Sequence, residues 1–174
     1  LADAALPNPD PAAVAAALLE GVRRLGLDAL PWRDGAVALR RRVGFARALE
    51  GEAWPDWSDA ALMETLEQWL RPHLGGMRRR SDLDRLDLAQ ILALDWERQR
   101  ALDAVAPATI PIPSGRRAAL DYADPAQPVL AVKLQEMFGQ AETPRVGGGR
   151  VPVAIHLLSP AGRPLQVTRD LAGF

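Results

Sequence analysis

The amino-acid sequence predicts an α+β protein, with a helical bundle over residues 10–106 followed by a β-rich domain over residues 107–174. Apolar residues recur every three or four positions through most of the first part, which is the spacing of helices with one buried face. From Pro107 onward they recur every second position, which is the spacing of half-buried strands. Residues 1–9 are rich in alanine, proline and asparagine and are interpreted as an entry linker.

The first helix has clear start and stop signals. Asp10 is predicted to cap it, with Pro11 at the first helical position, where the missing N–H costs nothing. Gly26 is placed to end it in the left-handed conformation. One apolar stripe is expected to face the core; its residues are Val14, Leu18, Val22 and Leu25.

A second helix is predicted from Asp34 to about Leu49, with a cluster of arginines mostly on its outer side. Four guanidinium groups on one helix are able to follow a phosphate backbone. The alternative is a solvated helix face whose charges pair with local carboxylates. The cluster consists of Arg40, Arg41, Arg42 and Arg47.

Ser58 is predicted to cap a third helix, which must stop near Pro72 because proline cannot continue a helix. Trp54 and Trp57 flank Pro55; such a pair either stacks on bases or packs as core under a loop. The buried stripe of this helix is expected to consist of Leu62, Leu66, Trp69 and Leu70.

The last helical segments follow a double glycine at residues 75–76. Residues 78–80 are three consecutive arginines, the densest positive segment of the chain, and form either a binding surface or an exposed surface screened by salt. Asp87 and Asp95 are predicted to cap two short helices, the second ending before Pro107. The residues expected inside these helices are Leu88, Ile91, Leu92, Trp96, Leu102 and Val105.

The β-rich part is predicted to contain at least four short strands. Two prolines confine the first strand, residues 108–113, to a sheet edge, because proline donates no hydrogen bond to the ladder. The second strand ends before Asp124, and residues 151–158 and 164–168 form a hairpin. The alternating residues expected to face a core are Ala118, Leu120, Tyr122, Val151, Val153, Ile155, Leu157, Leu165 and Val167.

A helix is predicted over residues 130–138, where four large apolar residues share one stripe and Gly139 is placed to end it. Four short strands and one helix are the components of a small barrel of the oligonucleotide-binding (OB) type. One sequence does not give the strand order, so an OB-like barrel is one expected arrangement of the domain.

Composition is that of a globular protein without disulfides. The 174 residues carry a net charge of −1 and no cysteine, which excludes a disulfide framework and thiolate metal sites. No apolar run approaches the roughly 18 residues of a membrane span, so we expect no membrane partner and a cytoplasmic location. All basic residues except Lys133 are arginine, which suits phosphate groups but also follows from a GC-rich genome.

The sequence contains no recognisable catalytic constellation. The glycines at 147–149 lack the lysine and the spacing of a P-loop and are interpreted as a flexible loop. His73 and His156 are too few for a zinc or iron site without many nearby carboxylates. We therefore expect no catalytic residue, no metal and no cofactor in this chain.

Six segments of the sequence resemble one family of bacterial helicases. They are AALLEGVRRLGLDALPW (16–32), WPDWSDAAL (54–62), IPSGR (112–116), PVLAVKLQEMFG (128–139), ETPRV (142–146) and LLSPAGRPLQVTRDLAGF (157–174). In this order they resemble the C-terminal region of the HrpB family of ATP-dependent helicases, of the DEAH/DExH-box class. The resemblance covers essentially the whole chain.

The resemblance implies an accessory region beside two RecA-like motor lobes of the same parent polypeptide. Those lobes bind and hydrolyse ATP with Mg²⁺ in the family, and none of their residues is encoded in this sequence. The resemblance also implies a ratchet-like helical part. Since the family continues past Phe174 with an aromatic and basic tail, we expect the β-rich domain to be truncated at its end.

Two functions follow from these observations. The first is to bind or guide single-stranded RNA or DNA beside the motor, through phosphate contacts with little sequence preference. The second, favoured by the near-neutral net charge, is a protein-interaction or regulatory domain that docks on the motor or on an external partner. The candidate nucleic-acid-binding residues are Arg116, Arg117, Lys133, Arg145, Arg150 and Arg163.

Overall fold

The structure is a computed structural model that describes residues 10–171. The predicted linker at residues 1–9 and the last three residues, 172–174, lie outside this range. Helices precede strands along the chain, and the first strand begins at Thr109. The predicted α+β class is therefore confirmed. None of the helices in the described range is long and apolar enough to cross a membrane.

Backbone contacts divide the described residues into two compact units. The helical unit comprises residues 10–39 and 56–93, and the mixed unit comprises residues 40–55 and 94–171. The boundary predicted after residue 106 coincides with the change from helix to strand. The compact units divide elsewhere, because two helical segments pack with the strands.

The helical unit consists of short helices around one apolar core. Its elements are α1 (Pro11–Leu25), a 3-10 turn (Leu27–Ala29), the start of α2 (Asp34–Glu50), α3 (Asp59–Glu64), α4 (Leu66–Leu70), 3-10 turns at Arg71–His73 and Arg80–Arg85, and α5 (Leu88–Ile91). Helices this short are marginal alone, so the packing of their apolar stripes stabilises the unit. Its most buried side chains include Leu19, Val22, Leu66, Leu70, Leu83 and Leu88.

Four predicted helix starts are confirmed. The carboxylate of Asp10 accepts a hydrogen bond from the N–H of Ala12 at 3.2 Å, and Ser58, Asp87 and Asp95 accept equivalent bonds at the starts of their helices. Each bond satisfies an N–H that has no partner inside the helix. The sequence alone therefore located these helix starts.

The predicted third helix is divided at Thr65 into α3 and α4. The Thr65 hydroxyl donates to the carbonyl oxygen of Ala61 at 2.8 Å. Its backbone, at φ −100° and ψ 15°, leaves the helical conformation. A hydroxyl that bonds to the preceding turn competes with the backbone ladder and bends the helix, which explains the break.

The mixed unit combines helical segments with seven short strands. Besides the rest of α2 and a 3-10 turn (Gly51–Ala53), it contains α6 (Trp96–Val105), β1 (Thr109–Pro111), β2 (Arg117–Ala119), β3 (Val129–Lys133), a 3-10 turn (Leu134–Met137), β4 (Arg145–Val146), β5 (Val151–Pro152), β6 (Ala154–Leu158) and β7 (Pro164–Thr168). β1 pairs with β2 and β4 with β5, both antiparallel. The third sheet has the order β3-β6-β7, in which β3 is parallel and β7 antiparallel to β6.

The suggested OB-like barrel is not formed. The strands of residues 10–171 fall into three separate sheets of two or three strands, and none of the sheets closes on itself. Each strand has only two to five residues. Proline at 111, 113 and 152 and glycine at 147–149 interrupt the ladders, because proline lacks the donor that a continuing strand requires.

The predicted helix over residues 130–138 is also wrong. Val129–Lys133 is strand β3, followed by one 3-10 turn, Leu134–Met137. A short apolar run fits the residue spacing of a helix as well as that of a strand. Here five consecutive residues pair with β6, and this pairing stabilises the strand. Leu130 and Val132 are buried in alternation, as the strand requires.

The predicted hairpin is confirmed for β6 and β7. Its loop is closed by hydrogen bonds from the Ser159 N–H to the Arg163 carbonyl, 2.7 Å, and from the Gly162 N–H to the Ser159 carbonyl, 2.8 Å. The expectation that Leu165 and Val167 face a core is wrong, because they are 55% and 57% exposed. β7 is the edge strand of its sheet.

The glycine-rich loop is more constrained than predicted. Gly147 is buried, has φ +65°, and donates its N–H to the carbonyl of Val105 at 2.7 Å. A Cβ at this position would lie 2.5 Å from Cδ2 of Leu49 and 3.5 Å from the ring of Phe45. Only glycine therefore fits this position without a shift of its neighbours.

Gly147→Ala should destabilise the mixed unit by roughly 2–4 kcal/mol, because positive φ and overpacking act together. Gly149→Ala is a matched control: it shares the left-handed conformation, at φ +85°, but has open space around the Cβ. Urea unfolding followed by circular dichroism measures the difference. Equal losses for the two variants would contradict the close packing of Gly147.

Tyr122→Phe tests the buried phenol of the mixed unit. The hydroxyl of Tyr122 donates to the carbonyl of Pro107 at 2.7 Å, and burial raises the pKa of this phenol. The variant should lose about 1–2 kcal/mol near neutral pH, because it leaves that carbonyl without its donor. With the folded pKa above the unfolded one, wild-type stability should also fall above about pH 10, and the variant should lose less there. Unfolding curves of both proteins near neutral pH and above pH 10 measure the two effects. If wild type and variant lose the same stability between these pH values, the prediction is wrong.

Candidate nucleic-acid interface

The six predicted phosphate ligands are spread over the mixed unit, and Arg117 lies in β2, outside the β3-β6-β7 sheet. Lys133 ends β3 and pairs with Leu158 of β6, which in turn pairs with Pro164, so the hairpin residue Arg163 lies at the same end. Arg116 joins this end through its bond to Glu136, which follows β3. Arg145 is the first residue of β4 and Arg150 directly precedes β5, both before the start of β6. The predicted residues therefore form no single cluster.

Two of the six candidates, both arginines, are paired with carboxylates. Arg116 Nε donates to Glu136 at 2.8 Å, and this bond is the main reason why the pKa of Glu136 is lowered. The Arg150 guanidinium donates to Glu50 at 2.9 Å and to the carbonyl of Gly147 at 2.6 Å. The pKa of Glu50 is lowered by the indole N–H of Trp54 first and by Arg150 second. These arginines hold the fold together.

Two further candidates have backbone partners. Arg117 donates to the hydroxyl of Thr109 at 3.0 Å and to its carbonyl at 3.1 Å. Arg145 donates to the carbonyl of Gly149 at the longer distance of 3.4 Å. Both side chains keep their charge, but their orientation is fixed towards the protein.

Lys133 and Arg163 are the remaining pair, which we call the hairpin-end cations. Both residues are exposed, and the Arg163 side chain forms no hydrogen bond or ion pair within residues 10–171. Near Lys133 lies Glu136, which accepts the Lys133 backbone N–H at 3.2 Å and whose pKa the Lys133 charge helps to lower. The backbone of Arg163 is fixed by its N–H, which donates to the Ser159 hydroxyl at 3.1 Å. Two cations at the same end of one sheet, with β6 between β3 and β7, are able to contact phosphates of one nucleic-acid strand.

Two of the four α2 arginines are bonded to protein groups. Arg42 is only 9% exposed and donates to the carbonyl of Ala106 at 2.7 Å and to Asp103 at 2.6 Å. Arg47 donates to the carbonyl of Trp54 at 2.8 Å. These two side chains are therefore directed to the protein instead of a phosphate backbone, and Arg42, being buried, does not belong to a solvated face either.

Two tryptophans differ in their exposure. Trp54 is 5% exposed and packs as a core residue of the mixed unit, one of the two predicted alternatives, so it is not available to stack on a base. Trp96 lies in the predicted last helix but is 70% exposed, because it is the first residue of α6 and points away from the core. The Arg100 guanidinium lies 4.9 Å from the centre of its ring. Such an exposed indole is a stacking surface that helical periodicity did not reveal.

The described residues hold no group of three or more histidine, aspartate or glutamate side chains that would bind a metal ion. His156 lies between Ala131 and Val167 in the sheet register and is half-buried, as an ordinary strand residue would be. The chemistry of the site is therefore that of arginine, lysine and one exposed indole.

Comparisons with known proteins agree on one family. The family model described as ATP-dependent helicase C-terminal matches residues 69–174. The ATP-dependent RNA helicase HrpB of Escherichia coli K12 is 45% identical over 161 residues, which cover 91% of this chain and 20% of that protein. The chain thus spans about a fifth of the length of this relative.

Two crystal structures of E. coli HrpB have the same fold. One, described as a DExH-box NTPase, superposes with a TM-score of 0.88 at 43% identity and covers 97% of this chain and 21% of its own. The other, described as a DEAH/RHA helicase, gives a TM-score of 0.82 at 41% identity, covering 97% and 22%. The chain belongs to the HrpB family of ATP-dependent helicases and corresponds to its C-terminal region.

Proposed function

We propose that this chain binds single-stranded nucleic acid as an accessory region of a helicase, beside RecA-like motor lobes encoded elsewhere in the same polypeptide. The observation that carries the proposal is the pair of hairpin-end cations, Lys133 and Arg163. They are exposed and lie at one end of a sheet held by backbone pairing, where the nearby carboxylate of Glu136 is already bonded to Arg116. The family membership supports a nucleic-acid strand as their ligand.

The proposed contacts are made to phosphates. Binding through phosphates is independent of base sequence and weakens steeply with salt. The relative named an RNA helicase makes RNA the first strand to test, with DNA of equal length beside it. ATP and Mg²⁺ are, in this proposal, bound by the motor lobes, and the protein acts in the cytoplasm.

Lys133→Gln/Arg163→Gln should weaken binding of a fluorescein-labelled oligouridylate and lower the slope of log Kd against log salt by about 1.4, since two phosphate contacts are lost. Fluorescence anisotropy at several salt concentrations measures both effects. The matched control is Arg116→Gln/Arg117→Gln, which removes the same charge from arginines that already have internal partners.

The control should keep most of the affinity and most of the salt dependence. If the wild-type chain binds neither RNA nor DNA at low salt, the proposed function is wrong. If the two double variants lose equal affinity, the proposed contacts at Lys133 and Arg163 are wrong and only a general charge effect remains.

The second candidate function is docking on the motor lobes, and β7 favours it. This edge strand exposes Leu165 and Val167, which lie on one face of the strand because they are two residues apart. Unpaired strand edges are templates for another chain. The relative is about five times longer than this chain, so motor lobes of the same polypeptide are the partner we assign.

Leu165→Ser/Val167→Ser should weaken association between this chain and separately produced motor lobes by about tenfold or more, because two apolar contacts are lost. Gln166→Ser on the same strand is the control and should have little effect. Isothermal titration calorimetry gives the Kd values. Unchanged affinity in the double variant would exclude β7 as the docking strand.

A further inference from the structure

The helical unit contains a second basic surface, which the six predicted ligands do not include. It is formed by residues 76–85, here called the arginine loop, which begins at Gly76 with φ +79° and ends in the 3-10 turn Arg80–Arg85. Leu83 is 2% exposed and anchors the loop in the core of the unit. Four arginines of the loop remain exposed; they are Arg78, Arg79, Arg80 and Arg85.

Asp82 organises the loop from within. The residue is 8% exposed, and its Oδ2 accepts the backbone N–H groups of Arg78 at 2.8 Å and Arg79 at 3.1 Å. Its Oδ1 lies 3.3 Å from the guanidinium of Arg85. The pKa of Asp82 is lowered, mainly by the bond from the Arg78 backbone. The carboxylate is thus bound inside the loop, and the four arginine residues of the loop are exposed.

Arg33 holds the far side of the arginine loop. Its guanidinium donates to the backbone carbonyl of Asp84 at 2.7 Å and to that of Leu86 at 2.9 Å. These bonds reach across more than 50 residues of sequence within the helical unit. Together with the Asp82 bonds, they fix the loop backbone at both ends, so the guanidinium groups start from a defined scaffold.

The loop surrounds an open concavity of about 320 Å³. Its lining residues are Gly76, Arg78, Arg79, Ser81, Asp82 and Arg85. A neighbouring concavity of about 300 Å³ shares Ser81 and includes Arg80 and Asp84. Four arginines therefore face two aspartates, one of which is already bonded within the loop, and the surface retains excess positive charge.

We propose that the arginine loop is a phosphate-binding site whose ligand is the phosphodiester backbone of a nucleic-acid strand. Arg79 and Arg80 supply the principal contacts, since both are exposed and the Arg80 side chain makes no hydrogen bond or ion pair within residues 10–171. The charge of Arg79 also acts on Asp82. A planar guanidinium matches two phosphate oxygens at once, which makes arginine better suited than lysine here. Arg85 adds charge, with 82% of its side chain exposed.

The site is chemically independent of the hairpin-end cations, because the two sets belong to different units of the chain. The assignment of a nucleic-acid strand as the ligand of this site rests on the function proposed above. The ability of the site to bind a phosphate group does not depend on that function. A free oxyanion, such as inorganic phosphate or pyrophosphate, presents the same kind of negatively charged oxygen atoms to a guanidinium group as the phosphodiester backbone does. The experiment must therefore compare a strand with a free oxyanion.

Arg79→Gln/Arg80→Gln in the 174-residue chain is the test variant. We expect it to weaken oligouridylate binding by about tenfold and to lower the slope of log Kd against log salt by about 1.4. Arg23→Gln/Arg71→Gln is the matched control in the same unit. It removes the same charge from two arginines that pair with Glu67, so its binding should stay close to that of the wild type.

Pyrophosphate titration provides the second measurement, followed by the NMR resonances of the arginine Nε–H groups. The site is supported if pyrophosphate shifts wild-type resonances that the Arg79→Gln/Arg80→Gln variant lacks. Such shifts also show that the site accepts a free oxyanion. Loss of strand affinity without such shifts supports the site with the strand as its ligand. Thermal unfolding of the test variant should be unchanged, because its substituted side chains are exposed.

The proposal is overturned if the test variant binds oligouridylate as its control does and pyrophosphate shifts none of the resonances. Its failure is distinguishable from failure of the proposed function. Loss of affinity in Lys133→Gln/Arg163→Gln alone would leave the hairpin-end cations as the strand contact and remove the arginine loop. Loss of affinity in Arg79→Gln/Arg80→Gln alone would leave the arginine loop as the strand contact and remove the hairpin-end cations.

Discussion

The parallel pairing of β3 with β6 is the constraint on which the mixed unit depends. It joins five consecutive residue pairs, from Val129–Ala154 to Lys133–Leu158. Its inner face consists of Leu130, Val132, Ile155 and Leu157, all at most 1% exposed. Parallel neighbours require a long connection, whereas antiparallel ones need only a turn. Residues 134–153 form that connection, and the tightly packed Gly147 lies within it.

This crossover explains why some charged residues are structural. It is held to the helices of the mixed unit by the bond from the Gly147 N–H to Val105 and by the bridge between Arg150 and Glu50. Arg42 fixes α6 in the same unit through Ala106 and Asp103. An arginine that closes a crossover or joins two helices cannot also bind a phosphate without breaking that contact.

The distribution of arginine, rather than its abundance, therefore determines where a polyanion is able to bind. With a net charge of −1, the chain has no overall positive field to attract one. Under the proposed function, local surfaces have to supply the attraction, at places where the nearby carboxylates are already bonded. Beside the hairpin-end cations Glu136 is bonded to Arg116, and in the arginine loop Asp82 accepts backbone N–H groups. The two surfaces lie in different units of one helicase-family region.

The sequence by itself determined the helix starts at Asp10, Ser58, Asp87 and Asp95 and the β6–β7 hairpin, because caps and turns depend on residues close in the chain. The family was also recognisable from local segments. Only the tertiary structure decided that residues 129–133 are a strand, that the strands form three small sheets, and that Trp96 is exposed. It likewise decided which arginines have partners, since Glu50 and Arg150 are 100 residues apart. Such pairings depend on long-range packing, which neither the periodicity nor the composition of a single sequence specifies.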